Sequence, residues 1–87
     1  MKILAEPIDA LVMFRGKDNP KPYKFRYSDR AAVSHEVKID KVLQVDETRT
    51  GGIKALIYRC QSQIDGQSVL YELKYLIADC RWELYKM

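Results

Sequence analysis

Helical periodicity is what this chain most plainly lacks. No segment keeps apolar residues at a 3.6-residue spacing over three turns, so helical bundles drop out of consideration. No apolar run approaches the ~20 residues that a membrane-spanning helix needs, and no membrane association is expected. There are two cysteines and one histidine. Neither cysteine has a second Cys or a His at zinc-ligand spacing, so no metal site is expected. Gly51-Gly52 is followed by neither a helix start nor a lysine motif, which leaves no phosphate cradle and no cofactor to predict. The opening Met1–Pro7 segment is too short and too acid-broken for a secretory signal. A cytoplasmic location is the resulting expectation.

What is present suits a small globular domain. The 87 residues are 47% hydrophobic and 31% charged, with six tyrosines, two phenylalanines and one tryptophan. A chain of this size forms one domain, residues 1–87, near the lower end of what folds without staples. All of its regular segments carry the two-residue alternation of β-strands.

The most informative stretch is Leu56 to Leu76, with Asp65-Gly66 in the middle. Asp-Gly between two β-rich runs signals a two-residue hairpin turn, because both residues tolerate positive φ. Such a turn pairs Ile64 with Gln67, Cys60 with Tyr71, Tyr58 with Leu73 and Leu56 with Tyr75. All of Leu56, Tyr58, Cys60, Tyr71, Leu73 and Tyr75 then share one face. The other face sets Arg59 against Glu72 and Ile57 against Lys74. A slip of one residue would scramble both faces, so the pattern supports the turn placement.

The remaining segments read as further strands. Glu6–Arg15 places Ile8, Ala10, Val12 and Phe14 on one side, and Leu11 and Met13 on the other. Gly16–Pro22 is a turn by composition, with Pro22 at a strand start or an edge. Tyr23–Tyr27 alternates, with Tyr23, Phe25 and Tyr27 inward and Lys24 and Arg26 outward. Ser28–Ala32 is a short loop or a single helical turn. Val33–Asp46 carries Val37, Ile39, Leu43 and Val45 in phase, and Lys41 on that apolar face suggests a β-bulge or an edge position there. Glu47–Gly52 reads as a flexible loop. A tight turn at Asp79-Cys80 would set Ile77 opposite Trp82 and Tyr75 opposite Leu84. The expected fold is all-β: about six strands in an antiparallel meander, curled into a half-barrel or small barrel. In that meander Cys60 and Cys80 lie roughly 25 Å apart at about 3.3 Å per residue. That exceeds the ~7 Å limit for a disulfide, so two free thiols are expected.

No catalytic residue stands out. His35 points outward between Ser34 and Glu36, and Glu36, Asp40 and Asp46 read more naturally as a solvated polar face than as an acid–base pair. The net charge of +3 is unevenly placed: residues 15–30 hold six basic and two acidic side chains. Arg15, Lys17, Lys21, Lys24 and Arg26 are therefore the candidate contacts to nucleic-acid phosphates. The competing meaning of those residues is a soluble charged face. Leu11, Met13, Leu70 and Leu76 fall on outward faces, where they would form a protein interface or a homodimer surface if they make one patch.

Five segments carry a resemblance: Pro22–Arg26, Lys38–Val42, Tyr58–Ser62, Tyr71–Tyr75 and Cys80–Lys86. Their strand pattern resembles a group of short uncharacterised clostridial-type bacterial all-β proteins. Related families are sometimes encoded beside Y-family DNA polymerases, which implies an accessory role near DNA repair and no particular site residue. Together these readings describe a non-enzymatic binding or adaptor module that acts through a protein partner or self-association, with nucleic-acid binding as the alternative.

Overall fold

The computed structural model describes residues 1–87 as eight β-strands and no helix. In chain order they are β1 (Ile3–Pro7), β2 (Asp9–Met13), β3 (Lys21–Ser28), β4 (Ser34–Lys38), β5 (Lys41–Thr50), β6 (Ile53–Ile64), β7 (Gln67–Leu76) and β8 (Arg81–Lys86). They form two antiparallel sheets, one ordered β1-β8-β7-β6-β5 and one ordered β2-β3-β4. No helix is long and apolar enough to cross a membrane.

Two of the six expected strands bend, which is why eight are found. The run over Glu6–Arg15 breaks at Ile8, whose N–H donates to the Trp82 carbonyl at 3.2 Å. The run over Val33–Asp46 breaks at Ile39-Asp40. There the Ile39 N–H donates to Tyr23 of the small sheet, and the Asp40 N–H donates to Gln61 of the large one. Adjacent residues thus belong to different sheets, the usual construction of a corner between packed sheets.

The β6–β7 hairpin has the predicted register, including Ile64↔Gln67, Cys60↔Tyr71, Tyr58↔Leu73 and Leu56↔Tyr75. Asp65 and Gly66 both adopt positive φ, 50° and 77°, as a type I′ turn demands. All six inward residues of this hairpin are buried, and Arg59 pairs with Glu72 on the outside at 3.6 Å. The segment expected as a flexible loop at Glu47–Gly52 is instead ordered. β5 runs to Thr50 and turns at Gly51-Gly52, with Thr50 opposite Ile53.

Three expectations of phase fail at a turn or bulge whose exact place sequence alternation does not show. The β7–β8 connection is a four-residue turn, Ile77–Cys80, so Tyr75 faces Trp82 and Leu73 faces Leu84. The shift is two residues, so the inward set is unchanged and Ile77 alone moves to the surface. β5 is an edge strand, as Lys41 allows, and its bulge falls at Leu43, which turns Val42 toward the core and Leu43 to the surface. Val45 keeps its expected face, opposite Tyr58, but stays 38% exposed at the sheet edge. A register shift between Leu11 and Val12 likewise turns Tyr23 outward and Pro22 inward.

The core lies between the sheets. Phe25, Val37 and Ile39 from one side meet Leu56, Tyr58, Cys60, Tyr71, Leu73, Tyr75, Trp82 and Leu84 from the other. Its aromatic rings contact one another, Phe25 with Tyr71 at 5.4 Å and Trp82 with both Tyr58 (5.0 Å) and Tyr75 (4.8 Å). Two tyrosine hydroxyls buried there need partners. Ser62 Oγ donates to the Lys38 carbonyl at 2.7 Å, so Tyr71 must donate to Ser62 at 2.6 Å. Tyr58 donates to the Pro20 carbonyl. No buried side-chain polar atom is left without a partner. Both cysteines are free, Cys60 buried and Cys80 exposed.

Replacing Tyr58 by Phe strands the Pro20 carbonyl and should cost about 1–3 kcal/mol in denaturant unfolding. Burial pushes the Tyr58 phenol from its ordinary 10.0 up to about 12. A raised pKa of this kind contributes stability that is full below the ordinary value and lost as pH climbs through about 12. Absorbance titration should therefore show Tyr58 ionising together with alkaline unfolding. Burial also pushes the Cys60 thiol up to about 12, so a thiol reagent should label only Cys80 in the native protein and both cysteines in denaturant.

Candidate functional site

The outer face of the β2-β3-β4 sheet is where the sequence-predicted residues converge. β2 pairs with β3 as Asp9↔Arg26 and Leu11↔Lys24, and β3 pairs with β4 as Lys24↔Lys38 and Arg26↔Glu36. The Arg26 guanidinium bonds Asp9 at 2.7 Å, and Lys24 bonds Glu36 at 2.5 Å. The hydrogen bond and charge of Asp9 hold the Arg26 pKa above its ordinary value. Two of the five candidate phosphate contacts are thus already matched by carboxylates of the same face. A cleft of about 230 Å³ opens there, lined by Asp9, Leu11, Lys24, Arg26 and Glu36 among others.

The register shift at the far end of β2 creates the apolar part of the face. β2 skips Tyr23 in going from Leu11↔Lys24 to Val12↔Pro22, so Tyr23 has no cross-strand partner there. Its ring turns outward, its hydroxyl reaches Met13 Sδ at 3.8 Å, and Lys21 Nζ sits 5.2 Å from the ring centre. Leu11, Met13 and Tyr23 are 63%, 44% and 42% exposed. The structure therefore brings together Leu11 and Met13, proposed for protein contact, with Lys21, Lys24 and Arg26, proposed for nucleic acid. Arg15 and Lys17 lie in the adjoining β2–β3 loop, and no ion pair of the molecule includes Arg15, Lys17 or Lys21.

Leu70 and Leu76 do not join this face. They lie on β7 of the other sheet, opposite Gln61 and Ala55 respectively. Six residues of strand separate them by about 20 Å, so they form no continuous patch. Between them Tyr85 is flanked by Lys74 and Lys86, at 5.0 and 5.2 Å from its ring.

The histidine and the carboxylates are each engaged locally. His35, expected to point outward, instead shares the face of Tyr27 and Val37, because it alternates with Glu36 on the outer face. Its Nε2 lies 2.7 Å from Asp29 Oδ2, and the imidazole stacks on Tyr27. That bond, with the Val33 and Ala31 N–H groups, holds the Asp29 carboxyl below its usual range. Asp40 accepts from the Gln63 N–H and Asp46 from the Gln44 amide, while Glu36 holds Lys24. No serine, threonine or cysteine is hydrogen-bonded to the His35–Asp29 pair. No three His, Cys, Asp or Glu side chains stand close enough together to hold a metal.

Sequence reasoning missed the outward Tyr23, and Pro22 was the available signal. A proline cannot donate to a ladder, so a slip in pairing beside it is favoured. The chain matches no protein-family model, no curated protein and no solved structure at a significant level.

Because Leu11 already stands in solvent, Leu11→Ser should leave the unfolding free energy within about 0.5 kcal/mol of wild type. Phe25→Ala, from the opposite face of the same small sheet, should cost about 3–5 kcal/mol. Chemical denaturation of the two variants checks the assignment of inner and outer faces.

Proposed function

We propose that the chain is a non-enzymatic binding module that engages a protein partner through the outer face of its three-stranded sheet. One observation carries the reading: Leu11, Met13 and Tyr23 stand exposed beside two cation–carboxylate pairs that already satisfy each other. An apolar centre with a polar rim suits protein recognition, and the aromatic ring with its lysine neighbour is a typical anchor. The two sheets, joined at both corners, are read as the walls of one small curled barrel that presents this face rigidly. Two free thiols support a reducing, cytoplasmic setting. The family resemblance would put that partner among proteins acting near DNA repair.

Nucleic acid is the second reading, and a specific observation favours keeping it. Arg15, Lys17 and Lys21, like Arg30 at the end of the segment, lack carboxylate partners and are free to meet phosphate. Lys24 and Arg26 are not, since each would first have to leave its acid.

A photo-crosslinking residue in place of Tyr23 tests the first reading in cells. It should capture one defined protein, and capture should fail when Leu11→Glu is added; crosslinking no greater than from position 44 would end the proposal. Oligonucleotide titration tests the second. Single-stranded binding should weaken with salt, and replacing Arg15, Lys17 and Lys21 by Ala should flatten the log–log salt slope by about 2. Replacing Lys24 and Arg26 should do much less.

A further inference from the structure

The large sheet ends in two unlike edges. β1 is short and blunted: its pairing with β8 shifts between Ile3 and Glu6, Ala5 has φ 49°, and Pro7 removes a donor. β5 is ten residues long, contains no proline, and is regular from Gln44 to Thr50 after its bulge at Leu43. The groups it leaves unpaired follow from its turn. Gly51-Gly52 is a two-residue turn, so Thr50 and Ile53 form a hydrogen-bonded pair. Alternation then makes Thr48 and Asp46 bonded to β6, and leaves the N–H and C=O groups of Val45, Glu47 and Arg49 pointing off the edge.

A free edge can extend its sheet by pairing with a second copy, and charged residues commonly prevent this. The charges of β5, with its bulge and its turn, leave one register of self-pairing. An antiparallel pair that continues the sheet about a two-fold axis places one residue opposite its own copy. With Asp46, Glu47 or Arg49 on the axis, like charges meet. With Gln44 or Val45 on the axis, the pairing runs into the bulge at Leu43, and with Thr50 on the axis it runs into the Gly51-Gly52 turn. With Thr48 on the axis, Glu47 of each copy faces Arg49 of the other, twice over. In that register Glu47 and Arg49 are also the residues whose backbone groups face outward, so the two pairs would form four backbone hydrogen bonds. Thr48 faces Thr48 in the closely spaced pair between them, a favourable cross-strand neighbour.

From this we infer that β5 is a self-association edge, and that two copies of the chain join through it into one continuous ten-stranded sheet with Thr48 on the two-fold axis. Both side chains are available. Glu47 is 59% exposed and only loosely paired with Lys54, at 3.5 Å, while Arg49 is exposed and has no ion-pair partner. The inference does not depend on the binding face, which lies on the other sheet.

Sedimentation equilibrium of the full chain up to about 1 mM tests it. The wild type should show a monomer–dimer equilibrium that weakens with added salt. Glu47→Arg and Arg49→Glu should each weaken dimerisation about tenfold or more, because each sets like charges opposite one another. An equimolar mixture of those two variants should regain the dimer as a heterodimer, and the double variant E47R/R49E should regain the homodimer. Amide exchange at Glu47 and Arg49 should slow as concentration rises, while Thr48 and Thr50 stay unchanged. A chain that remains monomeric throughout would overturn the inference. So would a dimer indifferent to both single variants, or single variants that no mixture rescues. A dimer abolished by Leu11→Glu but untouched by the edge variants would overturn it as well, and would assign self-association to the binding face.

Discussion

Tyr71 buries its hydroxyl in the middle of the core, where water cannot satisfy it. It donates to Ser62, and Ser62 passes its own proton to the carbonyl of Lys38. That carbonyl stands at the corner where the chain leaves the small sheet for the large one. Tyr58 makes the matching contact at the start of β3, through Pro20. A buried hydroxyl with no acceptor carries the full desolvation penalty, so the two tyrosines can be inside only if the Ile39-Asp40 corner and the approach to β3 are in place. The aromatic packing, the bend at Ile39-Asp40 and the orientation of the three-stranded sheet are tied to that requirement.

The same arrangement makes the small sheet a display surface. Its inner side is committed to Phe25 and Val37 against the large sheet, so its outer side has only its own residues to satisfy it. Lys24 and Arg26 find carboxylates on β4 and β2, and the segment richest in positive charge becomes locally neutral at its centre. The uncompensated charge moves to the ends of the segment, to Arg15, Lys17 and Lys21 on one side and Arg30 on the other. What remains in the middle is Leu11, Met13 and a tyrosine brought outward by a slipped register. A surface that looked cationic along the chain is mixed and partly apolar in space.

How much could be foreseen depended on parity. The β6–β7 hairpin was legible to the residue, because Asp65-Gly66 fixes a turn of known length and every partner follows from it by counting. The β7–β8 turn was misplaced by two residues without consequence for the core, since an even shift returns each side chain to its own face. The irregularity at Tyr23 carries no mark in the alternation, and the bulge suggested at Lys41 lies two residues on, at Leu43. Each exchanges inside for outside locally, because a single extra residue does so. Bulges answer to the curvature a sheet needs to wrap its core, and a single strand's alternation carries no trace of its neighbour's length. The candidate site was half legible for the same reason. Its residue types could be named, but the pairing that neutralises Lys24 and Arg26 is a relation among three strands.

By itself, the sequence determined the all-β class, the central hairpin with its buried face, and the free state of the two cysteines. These depend on period-two alternation and on turn chemistry, which act between residues close along the chain. Only the tertiary structure decided where two strands bend between sheets, which charges cancel, and which edge of the large sheet is left open. Those outcomes depend on distances between segments far apart in sequence, set by the packing of one sheet against the other.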